Sequence, residues 1–314
     1  MYPKPRSSYL LDKQKRLSVR RKTVTIAAGI LSRDGVTIAA DTHEGYGETH
    51  TYVDKITVAT GNTGQGAIAS SGTGELLDYI TPHIQRLIAE GNWSTLEEFE
   101  IQLQELMAHL YKTESIQSYP RDQASELYTQ FLVAARHVSG TETRLFIVGS
   151  SLVTQATQLG TVIGCGPLRE FVEEIGNAAA YNGERARMAA LAIVHEAKRR
   201  YSDIGGRVSI CTLLNKGSWN VEDGDKTAEL ELLADSARKV TNRVILATLD
   251  STVTPGRFNE ILKEVQINLR GIRKKARAID ARRRRELALQ QNQMTKKIEK
   301  WRFDRKARRE ASQR

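Results

Sequence analysis

Three side chains near the start of the chain have the chemistry of a hydroxyl nucleophile that works without histidine. They are Thr25, Asp41 and Lys55, within the stretch TVTIAAGILSRDGVTIAADTHEGYGETHTYVDK at Thr23–Lys55. A threonine hydroxyl is a poor nucleophile until a base removes its proton. A free α-amino group, with an unperturbed pKa of about 8, is such a base near neutral pH. An ammonium at Lys55 would ease deprotonation of both groups, and a carboxylate at Asp41 would hold the lysine in place. Singly, each residue has an ordinary structural reading: a β-forming threonine, an aspartate at a turn, a lysine on an exposed strand. The chemistry is suggested by the three together.

These side chains can converge if they sit at the ends of strands in one small sheet. VTIAAGIL and VTIAAD flank the turn signal Arg33-Asp34-Gly35 and predict a hairpin, with Thr25 beginning one strand and Asp41 ending the next. The run from Asp41 to Asp54, with glycines and two histidines, reads as a loop. KITVAT, opened by Lys55, and AIASS predict a second strand pair. The glycine-rich link Gly61–Gly66 reads as a hairpin turn, not a phosphate loop, because a strand-like segment follows it where a helix is required.

Helical periodicity begins at Gly74, with Leu77, Ile80, Ile84, Leu87 and Ile88 on one face and Pro82 kinking or dividing the helix. Ser94-Thr95-Leu96-Glu97 has a capping-box pattern and opens a helix through about Tyr111. TQFLVAARHV, TRLFIVG and QLGTVIGCGP read as strands. Helices are expected at about 168–175 and 184–201, then a strong strand RVSICTLL and an edge strand in GSWNVED. Separate runs of strands and helices predict an antiparallel α+β layered domain and argue against a dinucleotide fold.

The charge is unevenly placed. Residues 1–23 hold eight Lys/Arg and one Asp, and residues 270–314 hold 18 Lys/Arg and five Asp/Glu. With +10 for the whole chain, the body from 24 to 269 is left at −10, between arms of +7 and +13. The body is therefore read as the fold and the arms as appendages. Cys165 and Cys211 have no metal or redox spacing and the six histidines are scattered, so neither a metal nor a cofactor is expected. No apolar run approaches the roughly 20 residues of a membrane helix, and a reducing, cytoplasmic setting is expected.

In order and spacing, TVTIAAGILSRDGVTIAADT, Lys55-Ile56, Ser71-Gly72-Thr73-Gly74-Glu75, the pair QFLVAARHV/TRLFIVG, Gly164-Cys165-Gly166 and Gly205-Gly206-Arg207-Val208 resemble a proteasome β-type subunit. Those subunits belong to the N-terminal-nucleophile (Ntn) hydrolases. The resemblance covers roughly residues 23–215. It implies a four-layer αββα sandwich of two antiparallel sheets, to which a basic helical C-terminal extension is added. It also implies a threonine-type endopeptidase or amidase. Its nucleophile would be Thr25, or Thr23 if the match slips, exposed by removal of a propeptide. Asp41 and Lys55 would complete the catalytic set, with Ser71 and Gly72 at an oxyanion site and Cys165 and Asp203 in support. A polypeptide substrate and a homo- or hetero-oligomeric ring follow from the same resemblance.

The chain departs from the family pattern in four places. Val24 replaces the glycine before the nucleophile, and Cys165 replaces a serine. Tyr201 and Ile204 stand where an Asp and a Ser are usual, with Asp203 close by. The loop from Asp41 to Lys55 is about two residues short. An inactive scaffold or assembly subunit of the same fold, bound to an acidic partner or nucleic acid through residues 270–314, is the alternative reading. The expected division is a basic arm or propeptide at 1–22, a proteasome-like Ntn-hydrolase domain at 23–220, a helical extension at 221–280 and a basic helical or disordered tail at 281–314. Val265, Leu269, Ile272, Ala276 and Ile279 form a heptad-like stripe in that extension.

Overall fold

The structure is a computed structural model. It describes residues 25–46, 49–112, 129–164, 168, 170–173, 175, 182–217, 219–222 and 224–311. The N-terminal arm, Thr23, Cys165 and Gly166 lie outside the described residues. The chain divides into two compact units, 1–228 and 229–314.

The first unit is an α+β sandwich built from two five-stranded antiparallel sheets. One has the order β10-β1-β2-β11-β12 and the other β5-β6-β7-β8-β9. β1 (Ala27–Ser32) and β2 (Gly35–Asp41) form the expected hairpin, with Ala27 opposite Ala40. β10 (Gly160–Ile163) flanks β1, and β11 (Val208–Leu214) pairs with β2 so that Val208 faces Asp41. β12 (Trp219–Glu222) closes that edge, as the GSWNVED reading predicts.

The second sheet holds β5 (Ile56–Thr60), β6 (Gly64–Gly72), β7 (Thr129–His137), β8 (Arg144–Gly149) and β9 (Leu152–Gln155). The glycine-rich link is a hairpin turn between β5 and β6, closed by Gly61 N–H donating to the Gly64 carbonyl at 3.0 Å.

Every residue of β2 is buried, which requires cover on both faces. Val36, Ile38 and Ala40 point into the core between the sheets, against Ala67, Ala69, Leu132 and Ala134. The other face of this sheet packs on α3 (Gly183–Arg200), whose buried Ala186, Ala190, Ile193 and Val194 explain its alanine-rich stripe.

α1 (Gly74–Glu90) and α2 (Leu96–Leu110) cover the second sheet through Ile80, Ile84, Ile88, Phe99 and Leu103. The layer order is thus helix, sheet, sheet, helix. Apolar burial on this scale, at about 25 cal/mol per Å², is the main force holding such layers together.

Several local expectations shift. Pro82 does not divide α1, which runs unbroken with Pro82 on its exposed side. Pro82 has no N–H for the Asp78 carbonyl, and both residues are exposed. The N-cap of α2 is Thr95, whose Oγ1 accepts from Glu98 N–H at 3.2 Å. Glu98 in turn accepts from Ser94 N–H at 2.7 Å, so the capping box sits one residue later than the pattern indicates. The stretch after Asp41 is not a loop but a two-stranded hairpin, β3 (His43–Tyr46) and β4 (Thr49–Tyr52). β9 had no reading of its own, being four residues with an exposed Leu152 at its start.

α4 (Gly224–Leu249) begins in the first unit and continues into the second, and α5 spans Pro255–Ala311. In the second unit, Arg243 pairs with Glu264 at 2.7 Å and Arg282 with Glu229 at 2.6 Å, an antiparallel arrangement of α4 and α5. α5 runs without a break from the expected extension through the basic segment at 281–311.

Candidate active site

Thr25, Asp41 and Lys55 come together. Thr25 lies two residues before β1, Asp41 ends β2, and Lys55 immediately precedes β5, so the trio spans both sheets and not the one small sheet expected, because the two sheets pack face to face. Lys55 Nζ donates to Thr25 Oγ1 at 3.1 Å and to the Asp41 carboxylate at 3.1 and 3.2 Å. It also donates to the His43 carbonyl. The lysine side chain is 9% exposed and Asp41 is fully buried.

Asp41 is fixed by the backbone. Its Oδ1 accepts from Ile26 N–H at 3.1 Å and its Oδ2 from Gly205 N–H at 3.4 Å. Burial pushes its carboxyl above the ordinary aspartate value. The Lys55 ammonium and the N–H groups of Ile26 and Gly205 pull the other way. Without that ammonium the carboxylate would be a buried charge with two amide donors, an unfavourable state.

Ser71, near the end of β6, donates through Oγ to the Thr25 carbonyl at 3.3 Å. Ser71 and Gly72 are the last residues of β6, not the first of a helix. α1 begins two residues later, with Thr73 as an N-cap that makes no side-chain cap bond. Asp203 sits in the turn between α3 and β11. Its carboxylate accepts from Ser202 Oγ at 3.2 Å, while its carbonyl faces His43 Nδ1 at 3.2 Å. Its side chain is not joined to Thr25 or Asp41.

Other residues complete the site without having been singled out. His43 contributes its carbonyl to Lys55, and Gly205, recognised only as half of a glycine pair, contributes its N–H to Asp41. Gly164 has φ +84°, and a Cβ there would lie 1.7 Å from the Thr25 carbonyl oxygen. Its N–H donates to Gln130 Oε1 at 3.0 Å, which fixes the chain beside Thr25. Backbone donors and acceptors leave no side-chain signature, so only the glycines hinted at them.

Beside the site, a cleft of about 660 Å³ is lined by Thr42, Tyr52, Val53, Asp54, Gly206 and Arg207. Gly206 has φ +69° and packs against Thr42 and Tyr52, so a side chain there would be strained and crowded. Among the described residues no cluster of His, Cys, Asp and Glu is placed to hold a metal ion, and no helix is long and apolar enough to cross a membrane.

The fold, two five-stranded antiparallel sheets between helices, is the sandwich that the sequence resemblance implies. It is similar to that of Anbu (ancestral beta-subunit) from Yersinia bercovieri, at 16% identity and a TM-score of 0.57, over 72% of this chain and 99% of that one. Anbu from Hyphomicrobium sp. strain MC1 aligns at 14% identity, TM-score 0.57, over 72% and 99%. The Anbu complex from Pseudomonas aeruginosa, solved as a helical assembly, aligns at 14% identity, TM-score 0.55, over 72% and 98%. No family model and no curated protein matches the sequence.

Proposed function

We propose that the protein is a threonine-type peptidase or amidase that becomes active when the Val24–Thr25 bond is cut. The observation that carries this reading is the Lys55 ammonium held 3.1 Å from Thr25 Oγ1 by a fully buried Asp41. In the mature chain the Thr25 α-amine takes the hydroxyl proton as Oγ1 attacks a substrate carbonyl carbon. The carbonyl π-pair moves to oxygen, and Lys55 stabilises the nucleophile as it loses its proton. The β6–α1 junction at Ser71 and Gly72 is the place where backbone N–H groups meet the oxyanion. Collapse of the tetrahedral species breaks the C–N bond. The leaving amine takes a proton from the α-ammonium, and the acyl group remains as an ester on Thr25. Water, deprotonated by the same α-amine, then cleaves the ester and restores the hydroxyl.

Asp41 and Lys55 act with Thr25 in this scheme, while Ser71 positions the Thr25 backbone. Asp203 supports the site through its carbonyl and His43. Cys165 lies outside the described residues. A polypeptide substrate and self-association are part of the same proposal, the second supported by the assembly in which the Pseudomonas aeruginosa relative was solved.

Intact mass and N-terminal sequencing of the purified protein test the first requirement. A chain beginning at Thr25, with turnover of small peptide amides that disappears in Thr25→Ala, is the expected result. A chain that retains Val24 and the residues before it excludes the Thr25 mechanism. The favoured reading would then be the inactive scaffold, which the turned-away Asp203 carboxylate already suits.

A further inference from the structure

We propose that the exposed face of α5 between Arg270 and Arg285 binds the phosphate backbone of nucleic acid without reading its bases. Residues 270–286 hold nine Lys/Arg and two acids, and all lie on one continuous helix. At 3.6 residues per turn, Arg270, Arg273, Lys274, Arg277, Arg284 and Arg285 fall within an arc of about 120°. All six are exposed. Neither Asp280 nor Glu286 falls inside that arc, and Ala281 is the one apolar residue that does. The opposite side of α5 carries the buried Ile261 and Val265 and the partly buried Ile272, Ala276 and Ile279. Arg282, outside the stripe, is the cation engaged with Glu229. The helix therefore keeps these six of the segment's nine cations apart from its packing residues, while the partly buried Arg283 lies on the packing side.

The chemistry of the stripe selects among polyanions. Stable protein interfaces centre on buried aromatic or aliphatic anchors, and this face has none. Insertion into a lipid surface likewise needs an apolar face turned to the membrane. What remains is a single-sign array in which five of six cations are guanidinium groups, suited to two-point contact with phosphate oxygens. Its axial length is about 22 Å at 1.5 Å per residue. Duplex nucleic acid presents one negative charge per 1.7 Å of axis, so that length spans about 13 phosphates. The proposal does not depend on Thr25 and stands whether or not the hydrolase reading holds.

The test uses the full chain and fluorescence anisotropy with a labelled 30-base-pair duplex DNA and a single-stranded RNA of matched charge. Four variants are compared: the quadruple Arg273→Gln/Arg277→Gln/Arg284→Gln/Arg285→Gln, its two constituent pairs, and a control of equal charge change outside α5, Lys112→Gln/Lys198→Gln/Lys216→Gln/Lys226→Gln. Circular dichroism confirms helix content, and the pairs keep the test valid if the quadruple variant loses helix. Six phosphate contacts predict a log–log salt slope near −5 on duplex and a loss on the order of 10³ in affinity between 50 and 200 mM salt. The quadruple variant should flatten that slope by three to four units, about one per cation. The control should retain most of it. Tighter binding of duplex than of RNA, or the reverse, assigns the form of nucleic acid. No binding at 50 mM salt, an equal loss in the control, or equal affinity for poly-glutamate or phosphatidylserine vesicles overturns the proposal.

Discussion

Replacing Lys55 with methionine tests the electrostatic core of the site independently of any substrate. The substitution removes the donors to Thr25 Oγ1, both Asp41 oxygens and the His43 carbonyl. It leaves a fully buried carboxylate with only Ile26 N–H at 3.1 Å and Gly205 N–H at 3.4 Å. Breaking a buried ion pair by deleting one partner costs about 3–5 kcal/mol, because the other charge stays buried.

The loss must also depend on pH. Burial already raises the Asp41 carboxyl above its value of 3.8, and loss of the ammonium removes the strongest influence opposing that rise. A carboxyl with a raised folded-state pKa contributes stability that is present below the unfolded pKa and lost as pH rises through the folded one. The deficit of Lys55→Met should therefore be small at pH 4 and grow by up to about 1.4 kcal/mol per pH unit above it, until Asp41 ionises in the folded protein. Urea unfolding of the variant at pH 4 to 8, beside wild type, measures this. Adding Asp41→Asn should recover most of the loss, since a neutral amide has no buried charge to compensate. A deficit below about 1 kcal/mol at pH 7, or one flat with pH, would refute the buried-pair account.

Three further outcomes follow. Gly164→Ala places a Cβ 1.7 Å from the Thr25 carbonyl at a φ of +84°, so it should lower stability by more than the roughly 0.4–1 kcal/mol that Gly→Ala gains at a compatible site, and abolish the proposed peptide hydrolysis. Thermal unfolding and a peptide-amide assay report the two effects. Glu196, held at a pKa of about 2 first by its bond to Arg199, contributes stability that is complete above about pH 4.5 and lost as pH falls towards 2. Glu196→Gln should flatten acid unfolding in that window, as followed by circular dichroism. Burial pushes the Cys211 thiol up to about 12, so mass spectrometry should find it unalkylated by iodoacetamide in the folded protein and alkylated in denaturant.

The layers of the sandwich were legible wherever burial is written into side-chain chemistry. The continuous apolar run of β2, the paired strands QFLVAARHV and TRLFIVG, and the helical stripe of α2 each carry their own period. The trio at the site was legible because its residue types are chemically unusual together. What was missed is mostly backbone. β3 and β4 pair through amides across a glycine-containing segment with no apolar alternation. The donors from Ile26 and Gly205, and the acceptor on His43, are main-chain atoms that any residue would supply. Asp203 shows the converse: its residue type suggested an acid in the site, yet the turn directs its carboxylate to Ser202 and presents its carbonyl instead.

The amide of Gly205 reaches Asp41 across 164 residues of sequence. On a ribosome adding 5–20 residues per second, that separation corresponds to roughly 10–30 s between synthesis of the two partners. Through that interval Asp41 and Lys55 exist with the turn that restrains them still unmade. Closure of the site must await the last turn before β11, a contact of high order that is slow to form. The proposed cut before Thr25, made by the chain on itself, would thus be timed by completion of the sandwich. On that proposal, a nascent or truncated chain ending before Gly205 would remain uncut.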